Sequence, residues 1–268
     1  MITKVMASLG LFVAKSSKIN NEVLERQSDK IRNLLKLIKE SFELFRVKEF
    51  PRVDSKLSDK EVLLISELLG TTIYEAFYLK IYFEKTLIVK GHICEFGVAQ
   101  GRTSALLAYL TRNLDKKLWL FDSFQGLSKP SSEDVLIQDI FDLGSIGKYE
   151  GEMSFSKDMV ISNLKLHSLP LDQVIIVEGF INRTYKEIPE TVAFAYIDFD
   201  FYEPIILTLE ELDRRLPVGG VVIIDDYNFF STGTKSAVDH FLLSKKGSYN
   251  LQIPDEIYGY FCILTKIS

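Results

Sequence analysis

Soft metal ligands and thiol nucleophiles are scarce in this chain, which has two cysteines and three histidines among 268 residues. Cys94 and Cys262 fall inside apolar strand-like runs with no metal-ligand spacing and no histidine partner. They read as small core residues, which argues against a zinc site or a disulfide framework and fits a reducing, cytoplasmic setting. An excess of basic charge is also missing. The formal charge of -5 and a pI near 5.4 leave no positive field for gripping phosphate backbones, so nucleic acid is not the expected partner. No apolar run reaches the ~20 residues that a bilayer-spanning helix needs. Met1–Ala14 carries a short apolar run, but no small-x-small cleavage site precedes Lys15. A docking helix is therefore expected there rather than a secretion signal. Repeats and low-complexity segments are absent. What is plentiful is apolar residue, 47% of the chain, enough for one large core.

Helical spacing dominates the start. From Asp29 to Phe45 the apolar residues Ile31, Leu34, Leu35, Leu37, Ile38, Phe42 and Phe45 recur at helix period. Ser58 with Glu61, and Thr72 with Glu75, are capping-box pairs. They open a helix over Val62–Leu69 and a second one with an aromatic face of Tyr74, Phe77, Tyr78 and Tyr82. Residues 1–85 are thus expected to form a helical segment, packed on or closing over an α/β core at 86–268.

In that core His92–Phe96 reads as the first strand, followed by a turn with Gly97 and Gly101 and an apolar helix. Glycine lets a ligand approach the backbone beside the free N–H groups of a helix start. The G-x-x-x-G spacing is neither the dinucleotide fingerprint nor a phosphate loop. A second strand, Lys117–Phe121, closes on Asp122, placed either to accept both hydroxyls of a ribose or to cap a helix. Ser123–Met153 is a loop-rich insertion of the length that usually forms a lid or binding loop. Ser156 opens a helix running to His167, and Val174–Val177 is the third strand, ending in Glu178, Gly179 and Phe180. A helix at Thr234–Leu243 and a closing hairpin of Tyr249–Ile253 and Tyr260–Thr265 complete the chain.

The strongest chemical signal is a pair of apolar runs that each end in two acids, Ala193–Asp200 and Val221–Tyr227. Both read as strands buried on two faces of a parallel sheet. The amphipathic stretch Glu203–Leu216 between them makes a crossover unit, so Asp198, Asp200, Asp225 and Asp226 share one sheet edge. Four carboxylates together repel and hold protons more tightly. A hard cation such as Mg2+ suits an all-oxygen site of this kind. Helix capping is the alternative role for individual members. Among the histidines only His240 falls near the site in sequence order, and Tyr202 and Tyr227 are candidate ligand contacts.

Taken in order, Cys94–Val98 through Gly101, Phe121–Leu127, Val177–Gly179, Ile197–Glu203 and Pro217–Tyr227 resemble the macrocin O-methyltransferase family of class I S-adenosylmethionine-dependent methyltransferases. The resemblance runs from about Leu57 to Leu243. It implies a Rossmann-like, seven-stranded, mostly parallel sheet with a C-terminal antiparallel hairpin. It also implies Mg2+-dependent methylation of a hydroxyl on a sugar or glycosylated small molecule. On this resemblance Glu95, Gly97 and Gly101 line the methionine end of the donor, and Phe96 and Thr103 are also donor-binding. Asp122 and Ser123 serve the ribose, and Glu178, Gly179 and Phe180 the adenine. Asp198, Asp225 and Asp226 occupy metal-ligand positions, with Asp198 also against the donor and Asp198 or Asp200 as the base. The expected partner is a small-molecule or glycan acceptor, and a homo-oligomer is compatible with this picture. Phe199 departs from the glycine usual between the two acids. A phenolic acceptor, a nucleotide-sugar glycosyltransferase reading of Asp198-Phe199-Asp200, and a non-catalytic binding protein are the alternatives.

Overall fold

The structure, a computed structural model, describes residues 21–268, and the docking helix expected at Met1–Ala14 lies outside them. Two compact units divide the chain, one ending at Phe77 and one running Tyr78–Ser268.

The first unit holds α1 (Asn21–Glu49), α2 (Asp59–Ile65) and the start of α3 (Ile73–Lys85). The capping box is present on α2: Ser58 Oγ accepts from Glu61 N, and a Glu61 carboxylate oxygen accepts from Ser58 N at 2.7 Å. Thr72 Oγ1 accepts from Glu75 N at 3.0 Å, so both sequence signatures mark real helix starts. The unit closes around aromatic rings. Phe42 meets Phe77 edge-on at 5.0 Å, and Phe45 packs on Phe50, Tyr74 and Phe77.

The second unit is the α/β core. Its elements are β1 (His92–Phe96), α4 (Arg102–Thr111), β2 (Leu118–Asp122), α5 (Lys157–Leu166), β3 (Val174–Glu178), α6 (Ile181–Thr184), β4 (Val192–Ile197), α7 (Tyr202–Asp213), β5 (Val221–Ile224), α8 (Thr232–Ser244), β6 (Tyr249–Gln252) and β7 (Cys262–Lys266). The seven strands run in the order β3-β2-β1-β4-β5-β7-β6. The first five pair in parallel, and β7 lies antiparallel between β5 and β6. This is the mostly parallel sheet with an antiparallel terminal pair that the sequence predicts. β4 and β5 are buried at every position, as continuous Val, Ile, Phe and Ala runs demand when helices cover both faces.

Both acidic strands end earlier than predicted. β4 stops at Ile197 and β5 at Ile224, leaving all four acids in the loops beyond. The reason is conformational: Asp200 at φ 63° and Asp226 at φ 52° are left-handed and cannot continue an extended strand.

Candidate active site

β1 sits centrally, its chain leaving toward β2 on one side while β4 and β5 lie on the other. In such a sheet the crevice beyond the carboxyl ends at this reversal is the natural ligand site. Two different constructions meet there.

On the β1–β2 side the backbone is pinned by one carboxylate. Asp122 Oδ2 accepts from Val98 N at 2.7 Å and Ala99 N at 3.1 Å, and Oδ1 accepts from Phe124 N at 2.7 Å. Ala99 and Phe124 are left-handed, at φ 45° and 52°, a strain of order 1 kcal/mol each that these bonds offset. Asp122 thus organises the glycine turn itself, a role its position in the sequence does not reveal. Ser123 Oγ, buried, donates to Gly126 O at 2.9 Å and accepts from Gln125 N at 3.0 Å. Gly97, at φ 86°, has a packing reason for lacking a side chain, because a Cβ there would lie 1.9 Å from the Asp198 carbonyl oxygen. Gly101 is the left-handed N-cap of α4, and its carbonyl accepts from Asn163 Nδ2 at 2.9 Å. Thr103 is buried in the first turn of α4.

Phe96 reaches this edge through its main chain, whose carbonyl accepts from Asp198 N at 2.7 Å. Its ring is fully buried and stacks on Phe121 at 4.8 Å. Glu178 is exposed, 3.5 Å from Lys157 Nζ. Gly179 N donates to Asp122 O at 2.9 Å, and Phe180, half-buried, is the N-cap of α6.

Glu95 is the unsettled group on this side. It is 1% exposed, and neither carboxylate oxygen has a hydrogen-bond partner. Burial pushes its pKa up to about 8, the nearby Ser104 hydroxyl offsetting part of the rise and the charge of Asp122 adding to it. An orphaned, buried carboxyl at a strand end fits a ligand that brings an ammonium or another donor.

On the β4–β5 side the acids crowd together. Oxygens of Asp198, Asp200 and Asp226 all lie within 4.8 Å of one another. Burial, followed by repulsion from Asp225, Asp226, Glu95 and Asp122, holds Asp198 well above the usual carboxylate range. Asp200 is raised to about 8 by burial and by Asp198, with a hydrogen bond to Asp226 opposing the rise. Asp226 is raised by burial and by Asp225 and Asp200. Among the described residues no cationic side chain lowers the pKa values of these three. Three converging carboxylates without a counter-charge are a hard-donor set that matches a divalent cation.

The trio that gathers differs by one member from the Asp198, Asp225 and Asp226 set expected from the sequence. Asp225 turns to other partners: its Oδ2 accepts from Tyr196 Oη at 2.6 Å and its Oδ1 from Asp226 N at 2.8 Å. Asp200 takes the third place through a three-residue turn, in which Phe201 N donates to Phe199 O at 2.7 Å around the left-handed Asp200. A γ-turn with its central residue at positive φ is rare and strained. Sequence periodicity carries no sign of either Tyr196 or this turn. Phe199 is half-buried and packs edge-on against Phe96, ring centroids 6.1 Å apart.

The histidines lie elsewhere in the hydrogen-bond pattern. His240 Nδ1 lies 3.0 Å from Tyr202 Oη, His92 Nδ1 accepts from Lys117 N, and His167 caps the end of α5. Tyr227 Oη donates to Asp239 on α8.

Comparison with known proteins places this geometry. The profile of the Macrocin-O-methyltransferase (TylF) family matches residues 81–261. The chain is 31% identical over 157 residues to demethyldecarbamoylnovobiocin O-methyltransferase of Streptomyces niveus, covering 57% of this chain and 58% of that protein. It is 29% identical over 143 residues to 8-demethyl-8-(2,3-dimethoxy-alpha-L-rhamnosyl)-tetracenomycin-C 4'-O-methyltransferase of Streptomyces olivaceus, covering 52% and 54%. The matched region therefore spans little more than half the length of these curated relatives. Among solved structures, the O-methyltransferase NovP superposes with a TM-score of 0.65 at 22% identity, covering 90% of this chain and 99% of that one. That likeness concerns the fold.

Proposed function

The chain belongs to the macrocin-O-methyltransferase (TylF) family, and on that premise we propose that it methylates a hydroxyl of a sugar or glycosylated small molecule, using S-adenosylmethionine and Mg2+ in the cytoplasm. The observation that carries this reading is the convergence of Asp198, Asp200 and Asp226 within 4.8 Å, next to a glycine turn whose backbone is already pinned. When bound, the donor supplies an electrophilic methyl on a sulfonium leaving group, and the cation supplies Lewis acidity toward the acceptor hydroxyl.

The protein's own part is positioning and proton transfer. Asp122 keeps the β1–α4 turn open by consuming its N–H groups, and Glu95 offers an unpartnered carboxyl to the amino group of the donor's methionine end. Gly97, Gly101 and Thr103 line the same turn, Ser123 follows Asp122 at the ribose, and Glu178, Gly179 and Phe180 border the adenine. Asp198, Asp200 and Asp226 hold the cation, and Asp225, fastened to Tyr196, supports Asp226 from behind. An alcohol is a poor nucleophile while protonated, so a base must take its proton as the new bond forms. Asp198 or Asp200, the two carboxylates presented at this edge, takes that proton. In-line transfer then depends on holding the acceptor oxygen against the donor.

The name of the Streptomyces olivaceus relative carries a rhamnosyl-bearing acceptor, which supports a sugar hydroxyl over a phenol. Labelled-methyl transfer to a panel of free sugars, glycosides and catechols, with Mg2+ and with excess EDTA, tests the reading. Label on glycosides that EDTA abolishes is the expected result. Label confined to catechols, or transfer indifferent to EDTA, overturns it.

A further inference from the structure

The insertion after β2 is fastened to the acid loops rather than hanging free. Its ends close on each other, Leu127 N donating to Glu152 O and Gly151 N to Leu127 O, each at 2.9 Å. Its middle runs antiparallel to the chain entering α8: Leu136 bridges Ser231, Val135 N donates to Thr232 Oγ1, and Thr232 N donates to Val135 O. The insertion's Asp134 is 4% exposed, and a carboxylate so buried needs firm partners. Its Oδ1 accepts from Tyr202 N at 2.8 Å, and its Oδ2 accepts from Ser131 N at 2.7 Å and Ser131 Oγ at 2.8 Å.

Tyr202 is the first residue of α7, and the residue at its N-cap, Phe201, has no side chain able to cap. The cap comes instead from Asp134, 68 positions earlier. Gly233, in the first turn of α8, makes room for it, since a Cβ there would lie 1.7 Å from Asp134 Oδ1. The carboxylate therefore sits at the starts of two helices, where backbone dipoles favour negative charge. Asp200 is two residues before Tyr202, and its carbonyl accepts from Ser231 Oγ at 2.9 Å and Thr234 Oγ1 at 3.4 Å. The strained turn is thus gripped on one side by α8 and on the other by Asp134.

We propose that Asp134 is a positioning residue for the acid cluster: by capping α7 and wedging against Gly233 it holds the turn that presents Asp200 to Asp198 and Asp226. This rests on the reading of that trio as the cation-binding and proton-accepting groups. The insertion is then a fixed wall of the site whose anchor sets carboxylate geometry.

The test compares Asp134→Ala, Asp134→Asn and Gly233→Ala with the wild-type enzyme, with Mn2+ as the probe. Mn2+ affinity is read by calorimetry, methyl transfer by kinetics, and amide exchange across residues 199–202 by mass spectrometry. Asp134→Ala is expected to weaken Mn2+ binding about tenfold, as loss of a ligand-orienting partner does, and to lower kcat about 30-fold through misplacement. Donor KM stays unchanged, and exchange at Phe201 and Tyr202 accelerates. Asp134→Asn keeps an oxygen for Tyr202 N–H and recovers most of both losses, whereas Gly233→Ala reproduces them. A folded Asp134→Ala protein with wild-type Mn2+ affinity and wild-type exchange overturns the proposal. Should that variant not fold, the other two carry the same readouts. Should the wild-type protein bind no Mn2+, the cation reading fails by itself, and amide exchange alone decides Asp134: acceleration supports it and no change overturns it.

Discussion

Asp122 ends a parallel strand and Asp200 lies just beyond one, yet their surroundings are opposite. Asp122 receives three backbone N–H groups, so its charge is spent inside the protein and the turn it organises is complete. Asp200 is held by its main chain, while its carboxyl faces two others and burial, with the charge of Asp198, pushes its pKa up to about 8. The comparison teaches that one half of the site is preformed and the other is electrostatically unfinished. A preformed half tolerates its ligand's absence; an unfinished half calls for a counter-ion.

The contrast can be broken most sharply at Asp198. Replacing it with alanine is expected to lower single-turnover methyl transfer by at least about 10³-fold, the scale of a lost electrostatic anchor. S-adenosylhomocysteine affinity, read by calorimetry, should stay within about threefold, because the β1–β2 half stands without it. Removing divalent cations comes next. Excess EDTA should cut turnover by about 100-fold, with recovery on adding Mg2+, and retained activity would show that the acids need no counter-ion. Within the acid half, Asp226→Asn should cost about tenfold more activity than Asp225→Asn, since the proposed cation would touch the first while Tyr196 holds the second.

Effects on the preformed half are smaller. Asp122→Asn loses an acceptor for backbone N–H groups and should weaken S-adenosylhomocysteine binding about fivefold, a little under 1 kcal/mol. A further effect is on stability and depends on pH. Glu95 moves from an ordinary value of 4.5 to about 8 in the fold. Below the ordinary value it is neutral in both states and contributes nothing. As pH rises toward 8 the unfolded chain ionises it first, so the ligand-free protein loses stability over that window. Glu95→Gln removes the loss, so its Tm should exceed the wild-type value at pH 8.5 and match it near pH 4.

Much of the architecture was legible in the chain because it is local. Continuous apolar runs rich in Val, Ile and Phe located β4 and β5, and Ser58 with Glu61 located α2. That the acids share one edge also followed, from the handedness of a strand-helix-strand crossover. What stayed hidden depends on contacts between distant residues. Whether Asp200 or Asp225 joins the trio is decided by Tyr196, 29 residues before Asp225, and by a left-handed turn that no periodicity encodes. Asp122's grip on Val98 and Ala99 is hidden for the same reason, and so is the placement of β7, rather than β6, beside β5. Adjacent acids look equivalent in a sequence, and backbone dihedrals make them different.

The seam between the two halves bears on how such an enzyme could acquire a new substrate. Gly97 has no room for a Cβ because the Asp198 carbonyl would lie 1.9 Å from it, and Asp198 N is tied to Phe96 O at 2.7 Å. Mutational drift in the glycine turn would shift the acids, and drift in the acid loop would shift the turn, so each constrains the other. In the outer part of the 123–153 loop, by contrast, a Cβ added at Gly147 meets nothing within 4 Å. That part of the loop can change without pushing on the coupled turn and acid loop beside it.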